Sequence, residues 1–154
     1  MHEVEGKRSG KDNSIRRYVG KMTGLYQKDD WQAALCDEVM DASEDIGSRI
    51  GGTMQLADDA KKKAREALAA GAIPRHLEQL QERLTNGGGE YFVDKRLTVA
   101  DLKVIGLVRW LRSGALDHIP KDLVDRVAPA LVKQYDRVAS NPKIAAYYAS
   151  RKKA

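Results

Sequence analysis

The chain has 154 residues, 42% apolar and 32% charged, which fits one globular domain with a single core. Its formal charge of +5 is too small by itself to imply nucleic acid. The single Cys36 excludes an internal disulfide framework and suits a reducing compartment. The longest apolar run, Val104–Val108, is far short of the ~20 residues that cross a bilayer.

Residues 1–11 are polar and rich in Gly and Lys. Glu5-Gly6-Lys7 can turn a hairpin, but an isolated two-stranded ribbon is marginal in water, so this stretch is expected to be loose. No apolar segment of the secretory kind occurs near Met1, and a cytoplasmic protein is expected. Asp12 or Asn13 can cap a first helix to about Lys21, with Ile15, Tyr18, Val19 and Met22 on one face and Gly24 as its stop.

A second helix is predicted from about Asp30 to Ile50. Trp31, Leu35, Val39, Ala42, Ile46 and Ile50 form its apolar stripe. Asp37, Asp41, Glu44 and Asp45 form an acidic one, whose like charges repel at this spacing. Either the stripe is a solvated face, or Lys or Arg of a second subunit, or a hard cation, sits against it. Gly51-Gly52 breaks the helix. Residues 58–84 read as one helix kinked near 71–74, or as two in series, because Pro74 interrupts the ladder. Asn86-Gly87-Gly88-Gly89 is a stop.

Residues 98–113 are the centre of the domain. Thr98 and Asp101 have the spacing of a reciprocal N-terminal cap, with Leu97 and Leu102 placed to clasp across it. The helix after them is apolar on nearly every side, the pattern of a buried element. Gly106 lies in its middle, where a neighbouring helix packed close against it would offset the loss of helix propensity. Ser113-Gly114 ends it. Shorter helices are expected near Pro120–Val127, from Pro129, and from Pro142 to Arg151. The fold class is all-α, with the other helices packed around that central helix.

Few residues suggest chemistry by themselves. His2, His76 and His118 are scattered without metal spacing. Cys36 sits beside Asp37, which disfavours a thiolate, so an inert thiol is expected. Lys61-Lys62-Lys63 and Arg65 read as a solvated basic face, since no aromatic residue or docking motif accompanies them. No phosphate loop, Ser-His-Asp set or Cys/His cluster is visible, and no metal site is expected.

Two blocks carry a likeness to a known family. One is Asn13-Ser14-Ile15-Arg16-Arg17-Tyr18-Val19-Gly20 with Gly24-Leu25-Tyr26. The other is Tyr91-Phe92-Val93 followed by Leu97-Thr98-Val99-Ala100-Asp101-Leu102. Together with Pro142–Tyr148 they resemble the helical C-terminal domain of cytosolic glutathione transferases, of the sigma-like class, which implies a right-handed helical bundle. The resemblance implies a remnant of the thioredoxin-like N-terminal domain over 1–24 and the helical domain over 25–154. It implies glutathione as a substrate rather than a cofactor, bound in part by Lys11, Asp12 and Asn13. Glu44 and Asp45 would reach the glutathione of the partner subunit, Met40 would line the acceptor pocket, and Thr98 and Asp101 would be the structural cap. A cytoplasmic homodimer, weakened by truncation, is expected, with neither nucleic acid nor membrane as a partner.

The departures from the family are specific. Its thiol-activating tyrosine lies early in the thioredoxin-like domain; Tyr18 and Tyr26 fall after that position. Where the family carries Gln-Ser, this chain has Lys11-Asp12, and an aspartate would repel the γ-glutamyl carboxylate. Asp94 and Lys95 replace a glycine and an aspartate, which is tolerable if that turn avoids a positive φ. Two readings of function result. One is a glutathione transferase truncated at its N-terminus and inactive as this chain alone. The other is a non-catalytic interaction module with the same fold.

Overall fold

The structure is a computed structural model that describes residues 2–4, 7–9 and 12–151. A short antiparallel ribbon pairs β1 (His2–Val4) with β2 (Lys7–Ser9), Glu3 opposite Arg8. The other described elements are helices: α1 (Asp12–Thr23), α2 (Asp30–Gly51), α3 (Asp58–Ala70), α4 (Ala72–Asn86), α5 (Val99–Arg112), α6 (Leu123–Val127), α7 (Pro129–Ala139) and α8 (Pro142–Arg151). The expected fold class is therefore the observed one, with the ribbon added at the start.

Local chemistry sets the helix limits. Asp29 is extended, and its carboxylate accepts the Gln32 amide at 2.9 Å, which starts α2. Residues 58–86 form two helices that meet at Gly71. Pro74 is the third residue of α4, in the first turn, where an amide proton has no intrahelical partner to lose. Gly24 and Gly114, with φ of +74° and +76°, turn the chain after α1 and α5.

α5 is the axis of the bundle and is packed by α1, α2, α6 and α7. Val99, Val104, Leu107, Val108 and Leu111 are buried in one core cluster with Met40, Ile46 and Ile50 of α2, Leu77 and Leu84 of α4, and Leu131 of α7, and Ile105 is buried as well. The reciprocal cap is present: Thr98 donates its amide and its hydroxyl to the same Asp101 carboxylate oxygen, each at 2.8 Å. The other Asp101 oxygen accepts the Phe92 amide at 3.1 Å and Gln134 Nε2 at 3.2 Å. Asp101 thus ties the preceding loop, α5 and α7 together.

Four expectations are corrected. Gly106 is exposed, and a Cβ there would meet nothing within 4 Å, so no helix packs against it. The close approach is at Gly20 instead, where a Cβ would lie 2.7 Å from Val99 Cγ1 and 3.0 Å from Tyr26 Cβ. Trp31, assigned to the apolar stripe, is 69% exposed because α2 extends past the core at its start. Asp94 and Lys95 both take positive φ, +56° and +50°, so the turn before the cap adopts the left-handed form without glycine. Arg65 is not part of a solvated face: it is buried, bonding Thr53 Oγ1 at 2.8 Å and the Asp117 carbonyl at 3.1 Å. It links the α2–α3 turn to the loop after α5.

Candidate functional site

The residues singled out from the sequence gather where α1 crosses α2 and the start of α5. Asp12 opens α1. Its carboxylate accepts Arg16 Nε at 2.8 Å and Lys103 Nζ at 2.7 Å. Burial pushes the Asp12 carboxyl up, but the hydrogen bonds and charges of Arg16 and Lys103 outweigh burial and hold it below its ordinary value. Lys103 comes from α5, one turn past the cap, and also pairs with Glu44 of α2. One lysine therefore joins Asp12 to Glu44, two residues expected to serve different ends of a glutathione site.

The acidic stripe of α2 is answered from within the chain. Arg17 Nε donates to Asp37 at 2.8 Å, and Tyr26 Oη donates to the same oxygen at 3.0 Å. Asn13 Nδ2 donates to Asp41 at 2.7 Å. Asp37, Asp41 and Glu44 thus have partners within the chain, so this face is not simply a solvated one. Asp45 differs: it is exposed and has no side-chain partner among the described residues. No group of three His, Cys, Asp or Glu with metal geometry occurs among the described residues.

The remaining site residues separate. Lys11 lies outside the described residues. Asn13 stays at the crossing, with its Oδ1 buried and without a donor among the described residues. Met40 has no exposed surface and is part of the core, so it does not line an open acceptor pocket. Burial was its stronger signal, since it shares the inner face of α2 with Cys36, Val39 and Ser43. The apolar cleft that involves a C-terminal helix is elsewhere, about 650 Å³ between Leu25, Leu97, Leu102 and Ile144. Leu97 and Leu102 both face it.

Neither tyrosine near the crossing is suited to hold a thiolate. The Tyr26 phenol is committed to Asp37, and burial together with that hydrogen bond pushes it up to about 12. Tyr18 is on the outer side of α1, 40% exposed. The Cys36 thiol is buried, and burial pushes its pKa up, as an inert thiol requires. Lys103 was not legible as a functional residue from sequence. Its only signal is its position, a cation in the first turns of an otherwise apolar helix.

A family model described as glutathione S-transferase, C-terminal domain, matches residues 44–151. Glutathione S-transferase P of Bos taurus is 31% identical over 144 residues, covering 90% of this chain and 62% of that protein. Glutathione S-transferase 2 of Manduca sexta is 30% identical over 152 residues, covering 98% and 72%. The solved structure of prostaglandin synthase D of Nilaparvata lugens superposes with a TM-score of 0.85 at 28% identity, over 97% of this chain and 72% of that one. The chain spans less than two thirds of the bovine relative's length. With the bundle, the cap on α5 and a family match that covers most of the helices, the chain belongs to the glutathione S-transferase C-terminal domain family.

Proposed function

We propose that this chain is the helical part of a sigma-like glutathione transferase, whose reaction joins glutathione thiolate to an electrophile. The observation that supports this most is the likeness along nearly the whole chain to relatives of that name, in sequence and in fold. On this reading residues 1–24 belong with the thioredoxin-like domain and 25–154 are the helical domain. Exposed Asp45 is free to reach the glutathione amino group of a second subunit in a homodimer. Glu44 is less free, because Lys103 already holds it.

Asp12 was expected to repel the γ-glutamyl carboxylate. Arg16 and Lys103 offset that charge, so the subsite remains compatible with an anion. No helix among the described residues is long and apolar enough to cross a membrane. A cytoplasmic place and a detoxifying role follow from the same reading. The second reading, a non-catalytic interaction module, is favoured by Asp12 standing where a serine hydroxyl would be.

A conjugation assay tests the inactivity that both readings expect of this chain alone. Purified chain, glutathione and a chromogenic electrophile should give no turnover above the uncatalysed reaction, because the tyrosines near the site are committed or turned outward. Turnover at an ordinary enzymatic rate would overturn the claim that this chain alone is inactive and would exclude the interaction-module reading.

A further inference from the structure

Arg65 is 3% exposed, yet every group that accepts from it is neutral. Its Nε donates to Thr53 Oγ1 at 2.8 Å, its Nη1 to the Asp117 carbonyl at 3.1 Å and its Nη2 to the Met54 sulfur at 3.2 Å. No carboxylate accepts from it among the described residues. A guanidinium withdrawn from water is costly unless strong acceptors replace the water. Of the three acceptors here, the thioether sulfur is the weakest. The cation is therefore poorly met on the side that faces Met54.

Met54 lies on the turn between α2 and α3, where its amide donates to the Gly51 carbonyl at 3.0 Å. Its side chain is outside the core cluster and is 45% exposed. Its bond to Arg65 is only partly buried, so a small oxidant reaches the sulfur. Oxidation of a methionine in a core introduces a polar oxygen among apolar neighbours and disrupts packing. At Met54 no core packing is lost, and the new oxygen would arise beside a buried cation. A sulfoxide oxygen is a far stronger acceptor than a thioether, and a bond from a guanidinium is charge-assisted. The exposed side chain can turn to bring that oxygen onto Nη2.

We propose that Met54 is a peroxide-reactive modification site, whose sulfoxide accepts from Arg65 and ties the α2–α3 turn more tightly to the bundle. In the reaction a sulfur lone pair attacks one oxygen of hydrogen peroxide. The S–O bond forms as the O–O bond breaks, and the proton on the transferred oxygen passes to the departing hydroxide, which leaves as water. Sulfur loses two electrons and the peroxide gains them. The site is remote from Asp12 and Asp45 in function and does not depend on the transferase reading.

The test uses the full chain carrying Met22→Leu, which removes the other exposed methionine, 58% exposed on α1. It is treated with dilute hydrogen peroxide, conversion at residue 54 is followed by peptide mass spectrometry, and the product is melted beside the untreated chain. The same treatment of a chain with both Met22→Leu and Met54→Leu reports any effect of oxidation elsewhere. Conversion of Met54 is expected to raise Tm by about 2–4 °C, with no rise in the double variant. Independently of oxidation, Met54→Gln, which presents an amide oxygen to Arg65, should melt above Met54→Leu. A Tm that falls or stays level on conversion would overturn the proposal. So would a Met54 that stays reduced while Met22 of the parent chain is fully oxidised, or a Met54→Gln no more stable than Met54→Leu.

Discussion

Asp101 is the residue on which most of the domain's geometry converges. Its carboxylate accepts four hydrogen bonds, from the Thr98 amide and hydroxyl, the Phe92 amide and Gln134. Asp101→Ala would leave these donors buried without an acceptor and should lower stability by about 3 kcal/mol or more, read by urea unfolding. Burial nonetheless pushes the Asp101 carboxyl above its ordinary value, against those bonds. Its ionisation therefore works against folding as pH rises through the folded value. Two glycines give a contrast of sign. Gly20→Ala forces a Cβ into Val99 and Tyr26 and should destabilise by about 1–3 kcal/mol. Gly106→Ala meets open space within a helix and should stabilise by roughly 0.5–1 kcal/mol. Thermal melting of the two variants checks both signs, and a destabilised Gly106→Ala would show a neighbour the structure lacks.

Among the elements, α1 is fastened to the bundle by charge more than by burial. Gly20 is its only buried residue, while Asp12, Asn13 and Arg17 bind Lys103, Asp41 and Asp37. The Asp12 carboxyl is held below its ordinary value of 3.8. Its contribution is thus complete above that pH and is lost as pH falls through the folded value. Asp12→Asn should lower stability by about 1 kcal/mol at neutral pH, a small effect because the Asp12 side chain is 43% exposed and solvent screens it. The gap between the variant and the parent should close only in acid below 3.8; a gap that persists there would assign the loss to packing. The sequence showed α1, its stop at Gly24 and the acidic stripe. It could not show which cations answer the stripe, because Lys103 is 59 residues from Glu44 and only the crossing of α2 with α5 joins them.

For the whole molecule, periodicity and capping were enough to read the fold. The apolar residues of α5, the Thr98–Asp101 cap and the punctuation at Gly24, Pro74, Asn86 and Pro129 each agree with the same bundle. What escaped was decided by tertiary packing. Trp31 shares the apolar spacing of α2 yet projects beyond the core, and Arg65 belongs to a basic run yet is drawn inside by Thr53 and the Asp117 carbonyl. Met40 has the character of a pocket residue, but α2 turns it inward. The site is legible in the same uneven way: Asp12, Asn13 and Glu44 lie together at one crossing, while Lys103, which holds two of them, had no motif to announce it.

The reading as the helical part of a glutathione transferase is tested most directly by restoring what the chain is proposed to work with. The thioredoxin-like domain of a sigma-like relative, fused ahead of residue 12, should give a dimer that conjugates glutathione to a chromogenic electrophile at an enzymatic rate. Asp45→Ala in that fusion should raise the KM for glutathione more than it lowers kcat. A folded fusion with no turnover above the uncatalysed reaction would contradict the reading.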